Sequence, residues 1–239
     1  DIRRTVDPKI REKTKFSFSN YDKNLKIFFI ATVIFTLGNS SNQFLLMRSM
    51  NLGFLLSQVI LMYIIFNLSS SVLSTFFGSL SDRIGRKTLI VAGYFLYALV
   101  YTCFGILHFF GQDTSWLLWI VWPVYGLYYA MTEGVEKALV SDLSPDNLKA
   151  TSLGLYHTIV GITLLPASLI AGALYMLYPP VPFIFGGVLA AGSVILIIGS
   201  VHRPKSSTGK TKARGAKKTN AIKIPTKILR NASQRIECP

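Results

Sequence analysis

Six apolar stretches, at about residues 27–47, 55–79, 88–110, 115–139, 151–177 and 181–201, restrict what this chain can become. A hydrocarbon core about 30 Å thick is crossed by roughly 20 helical residues at about 1.5 Å each, and all six stretches reach that length. In lipid, backbone N–H and C=O groups have no water to bond, so a continuous apolar run must satisfy them internally as a helix. The alternation that marks a membrane β-barrel is absent. The expected fold class is therefore an all-α membrane protein. A bundle of six transmembrane helices spans 27–201, between a basic linker at 1–26 and a basic tail at 202–239.

The distribution of charge sets the expected orientation. A formal charge of +14 would suit a nucleic-acid binder if it were spread along the chain, but 19 of the 25 Lys and Arg lie in the linker and the tail. Between them stand only Arg48, Arg83, Arg86, Lys87, Lys137 and Lys149. The partner implied is an anionic lipid bilayer and not nucleic acid. Basic residues in short loops stay on the cytoplasmic side. The linker, the loop at 81–87, the loop at 141–149 and the tail hold nearly all of them. The alternate connections, at about 48–54, 111–114 and 178–180, hold Arg48 and the turn formers Gly111, Gln112, Asp113, Pro179 and Pro180. Both termini are thus expected in the cytoplasm, with the chain multi-pass in the cytoplasmic (inner) membrane. The tail is too rich in Lys, Ser, Thr and Gly to build a core and reads as disordered. No initiator Met or signal-peptide core opens the chain, so a piece of a longer protein is expected.

Between the second and third stretches the chain reads Gly78, Ser79, Leu80, Ser81, Asp82, Arg83, Ile84, Gly85, Arg86, Lys87. Gly78 would allow two helices to approach, Gly85 would support a tight turn, and Asp82 would stand where a helix end meets the interface. This run resembles the signature G-x-L-[AS]-D-R-x-G-R-[KR] of the major facilitator superfamily. The stretches FTLGNSSNQFLLMRSMNLG and YGLYYAMTEGVEKALVSDLSPDNLKATSLGLYH resemble the C-terminal half of its bacterial members. An Arg early in the fourth helix followed by Gly, a mark of the N-terminal half, is absent. The resemblance implies a secondary transporter of twelve helices in two six-helix repeats working by alternating access, this chain supplying the second. The missing partner would be an N-terminal half or a second copy. It also implies that Asp82 is a conformational latch supported by Arg83, Arg86 and Lys87. Efflux of a drug or small metabolite is the implied activity.

Polar groups within the stretches are the default markers of a transport path. In the first, Asn39, Asn42 and Gln43 fall at i, i+3 and i+4, the spacing of one helical face. In the fourth, Tyr125, Tyr129, Glu133 and Lys137 recur every four residues beside Tyr128 and Glu136. By resemblance the first and fourth helices line the central cavity. Glu133 and Glu136 are candidates to load and release a proton and so couple transport to a proton or ion gradient, although for Glu133 and Lys137, in the favourable i, i+4 order near the cytoplasmic end, a plain interfacial ion pair suffices. Asn67, Ser69, Ser70 and Ser71 read as packing groups in the second helix. Asp142, Ser144, Pro145 and Asp146 read as turn and cap residues. Cys103 and Cys238 are unsuited to a bridge, and no second pair suggests a metal site. No Walker loop, nucleophile elbow, metal-ligand pair or dinucleotide fingerprint appears, so neither an enzyme nor a cofactor is expected. The alternative from another class is a non-transporting membrane scaffold or sensor with a polybasic tail that binds lipid or a partner.

Overall fold

The computed structural model describes residues 21–110 and 112–200. Most of the linker, the whole tail, Gly111 and Cys238 lie outside the described residues, as do the expectations placed on them. Seven α-helices form among the described residues: α1 (Lys23–Gly38), α2 (Asn42–Asn51), α3 (Leu56–Ile84), α4 (Arg86–Ile106), α5 (Leu118–Leu143), α6 (Lys149–Leu177) and α7 (Val181–Ser200). Two 3₁₀ turns, Leu107–Phe110 and Gln112–Leu117, join α4 to α5. By length and composition α3, α4, α6 and α7 are each long and apolar enough to cross a membrane.

The first apolar stretch is not one helix. It breaks at 39–41 into α1 and α2. Asn and Ser side chains compete for backbone hydrogen bonds, which suits them to helix ends. The Asn39 N–H closes α1 on the Phe35 and Thr36 carbonyls, while Ser41 Oγ accepts from the Gln43 N–H to open α2. The expected loop at 81–87 also differs. α3 runs on through Ile84 and α4 starts at Arg86, so most of the signature is helical and Gly85 alone separates the two. Its φ of +95° is a conformation that only glycine adopts without strain. The fourth apolar stretch starts later as a helix than the expected 115, because Gln112–Leu117 is wound as 3₁₀.

The helices pack in pairs. α3 lies along α5, while α7 lies along both α1 and α4. Contact between α1 and α7 is close because glycine faces glycine: a Cβ on Gly38 would stand 2.9 Å from the Gly186 carbonyl oxygen. Ser193 Oγ donates to the Ala31 carbonyl at 3.0 Å across the same pair. α3 and α5 meet at Gly126, where an added Cβ would lie 2.6 Å from the Phe66 carbonyl oxygen. At Gly78, where sequence suggested a close approach, an added Cβ meets nothing within 4 Å.

The core is aromatic. Phe35 stacks on Tyr94 with ring centroids 3.7 Å apart, and Tyr97 stacks on Tyr101 at 4.0 Å. Tyr125 stands against Phe66 at 5.1 Å and against Tyr128 at 5.6 Å, extending the cluster from α4 onto α3 and α5. Such pairs add about 0.5–1.5 kcal/mol each beyond the area they bury.

Arg48, expected in an outer connection, instead sits in the last turn of α2 and is 1% exposed. Its Nε donates to the Phe104 carbonyl near the end of α4 at 3.1 Å, a position where a helix leaves its carbonyls unpaired. Trp122 Nε1 donates to Ser49 Oγ at 3.2 Å beside it. Thus α1 is fastened to α7, and α2 to α4 and α5.

Candidate functional site

The break between α1 and α2 opens onto a cavity of about 320 Å³, within the range of small-molecule sites. Phe35 and Thr36 line it from α1, Asn39 and Ser40 from the break, and Asn42 from the start of α2. Tyr94 of α4, one face of α5 from Tyr128 and Tyr129 through Thr132 to Glu133 and Glu136, and Tyr156, Val160 and Leu164 of α6 form the rest of the wall. The helical spacing expected for Asn39, Asn42 and Gln43 does not exist, because the break interrupts it. Asn39 and Asn42 reach the cavity, whereas Gln43 is exposed and is not part of its lining.

Asn39 Nδ2 donates to Tyr128 Oη at 3.4 Å. The Asn42 side-chain oxygen accepts from Tyr125 Oη at 2.8 Å and from Tyr129 Oη at 3.5 Å. The broken segment is thereby tied to α5 by its own polar side chains, which explains why a run of Asn and Ser is tolerated here. Tyr125 is fully buried behind Asn42 and does not itself face the cavity.

The two glutamates occupy different settings. Glu133 is largely exposed, its side chain at 62%, and pairs with Lys137 at 3.3 Å. Glu136 is 8% exposed and accepts a hydrogen bond from the Tyr156 hydroxyl of α6. Among the described residues no Lys, Arg or His forms an ion pair with it. The four-residue stripe running through Glu133 did not single out Glu136. Sequence reasoning passed over several other lining residues, Tyr94, Thr132 and Tyr156 among them. A signal existed for one of them: Tyr94, Tyr97 and Tyr101 recur at helical spacing on α4.

At the far end of α3 the signature residues gather around Arg86. Its guanidinium donates to the Ala138 carbonyl of α5 at 2.5 Å, pairs with Asp142 at 2.7 Å and reaches Asp82 at 3.3 Å. Arg86 therefore joins α3, α4 and α5 in one knot, using the planar fork that lysine lacks. Lys87 Nζ donates to the Ile198 carbonyl of α7 at 3.1 Å. Asp82 and Arg83 are exposed. The α5–α6 connection holds a further ion pair, Lys149–Asp146 at 2.9 Å.

The sequence profile of the Major Facilitator Superfamily matches residues 28–234. The chain is similar to the uncharacterized MFS-type transporter MJ1317 of Methanocaldococcus jannaschii, 39% identical over 190 residues covering 77% of this chain and 46% of that protein. It is also similar to the quinolone resistance protein NorA of Staphylococcus aureus, 28% identical over 158 residues covering 66% of this chain and 39% of that protein. The chain spans less than half the length of each of these relatives.

Proposed function

This chain belongs to the Major Facilitator Superfamily and is a multi-pass membrane protein, and on that premise we propose that it supplies one half of a secondary transporter that moves a small molecule by alternating access. The observation that carries the reading is the cavity at the α1–α2 break. A polar, aromatic hollow with a buried carboxylate is costly inside a membrane bundle unless it meets a solute or an ion. A discontinuous helix facing a central site is also the recurrent device of alternating-access machines. Drug or metabolite efflux is the favoured direction, supported by the similarity to NorA. The other half, or a second copy, would cover α3 and α6, which bury few residues in this chain.

In this reading the α1–α2 unit and α3 to α7 make six passes, with both termini and the Arg86 knot in the cytoplasm. The solute crosses between the halves, and a proton or ion gradient drives it. Everted vesicles from cells making the whole protein should accumulate a fluorescent quinolone or another aromatic amphiphile, and collapsing the proton gradient should release it. Vesicles no better than empty controls across such a panel would sink the transport reading.

Topology has its own test. In a chain freed of Cys103 and Cys238, a cysteine at Ser57 should react with an impermeant maleimide on intact cells. A cysteine at Asp146, whose side chain is 99% exposed, should react only after permeabilisation. Reversal of that pattern would invert the orientation.

A further inference from the structure

We propose that the cavity at the α1–α2 break takes a monovalent organic cation carrying a flat apolar body, with Glu136 as its counter-charge. The inference rests on reading this cavity as the transport site and adds the chemical class of what it holds.

The argument is one of elimination among the lining groups. An anion would need a positive partner, yet among the described residues no Lys, Arg or His lines the cavity. A neutral polyol would need several free donors and acceptors, and most of the polar side chains are already committed. Asn39 is engaged with Tyr128, and Asn42 with Tyr125 and Tyr129. The Thr32 and Thr132 hydroxyls donate to carbonyls of their own helices, Phe28 at 2.9 Å and Tyr128 at 3.0 Å. Glu133 is held by Lys137.

Apart from the Thr36 and Ser40 hydroxyls, two kinds of surface remain. One is the Glu136 carboxyl, which accepts from Tyr156 and retains further acceptor capacity. The other is aromatic. Phe35 and Tyr94 form a stacked wall, while Tyr128 and Tyr129 stand nearly perpendicular, with ring centroids 5.0 Å apart and planes at 75°. Rings turned in different directions on a wall that also carries one buried carboxyl suit a cation, whose charge is attracted to ring faces as well as to the acid. The Tyr94 hydroxyl, buried on the same wall, stands beside the Glu136 carboxyl, so the acid and the stacked rings share one side of the cavity. Val160 and Leu164 supply the apolar side.

The test uses three probes of nearly one shape and different charge: 1-methylquinolinium, 1-methylnaphthalene and 1-naphthoate. Binding is read by tryptophan quenching on the whole transporter in nanodiscs, and translocation by counterflow in proteoliposomes. The cation should bind most tightly. Glu136→Gln should weaken it on the order of tenfold while leaving 1-methylnaphthalene unchanged. Tyr128→Leu should cost the cation a larger factor than Tyr128→Phe, which keeps a ring. That pair of variants decides the matter if Glu136→Gln lowers the melting temperature too far to be used. Equal or tighter binding of the neutral or anionic probe, no binding of any probe, or equal losses from the two Tyr128 variants would overturn the proposal. Counterflow separates the two readings. A cation that binds without crossing keeps the ligand class and removes the transport function, whereas flux without preference for the cation does the reverse.

Discussion

Gly126→Leu should leave almost no folded protein to purify. A Cβ alone at this position would stand 2.6 Å from the Phe66 carbonyl oxygen, 2.9 Å from Ser69 Cβ and 3.2 Å from the Ser70 amide nitrogen. Two of these are backbone atoms of α3 and cannot swing aside, so α3 and α5 must separate. α3 has few other attachments, since its buried residues are Val59, Met62, Phe66 and Ser81. Overpacking of a tight contact costs about 1–3 kcal/mol where side chains can yield, and here backbone must yield, so the loss should exceed that. The measurement is the yield of monodisperse protein in detergent together with its melting temperature. Gly134→Leu and Gly154→Leu are the controls, because a Cβ at either meets nothing within 4 Å. If Gly126→Leu behaves as they do, the α3–α5 contact described above is wrong.

The second large effect concerns the two glutamates. Glu136→Leu should reduce substrate flux on the order of tenfold or more, whereas Glu133→Gln should change it by less than about twofold. Burying a carboxyl on the cavity wall is justified by what it bonds there, and its loss leaves the Tyr156 hydroxyl without its acceptor, a penalty of about 1–3 kcal/mol before any effect on the solute. Glu133, exposed and paired with Lys137, is an i, i+4 helix pair worth about 0.3–0.5 kcal/mol. Flux in proteoliposomes, normalised to correctly folded protein, provides the comparison. Equal losses at both positions would mean that burial does not separate their roles.

What could be read from the amino acids was set by length scale. Apolar runs long enough for lipid report themselves by composition, and the run from Gly78 to Lys87 carried the family at once because its glycines and charges stand at fixed offsets. The break at 39–41 was harder to see. Asn and Ser in an apolar stretch read equally as a polar helical face, and only the cap bonds of Asn39 and Ser41 decide between a face and an end. The distinction between Glu133 and Glu136 depends on Tyr156, twenty residues on and in another helix, and no local period reports such a pairing. Arg48 illustrates the same limit. Beside the turn at Gly53 it looked like a loop charge, and its partner is a carbonyl of α4 far along the chain.

The single glycine between α3 and α4 has a mechanical corollary. Two rods joined through one residue have no slack, so when α3 tilts, the first turn of α4 has to travel with it or Gly85 must change its dihedral angles. Arg86, the next residue, grips α5 as well. Whatever part of a displacement of α3 Gly85 does not absorb is therefore passed to α4 and α5 together.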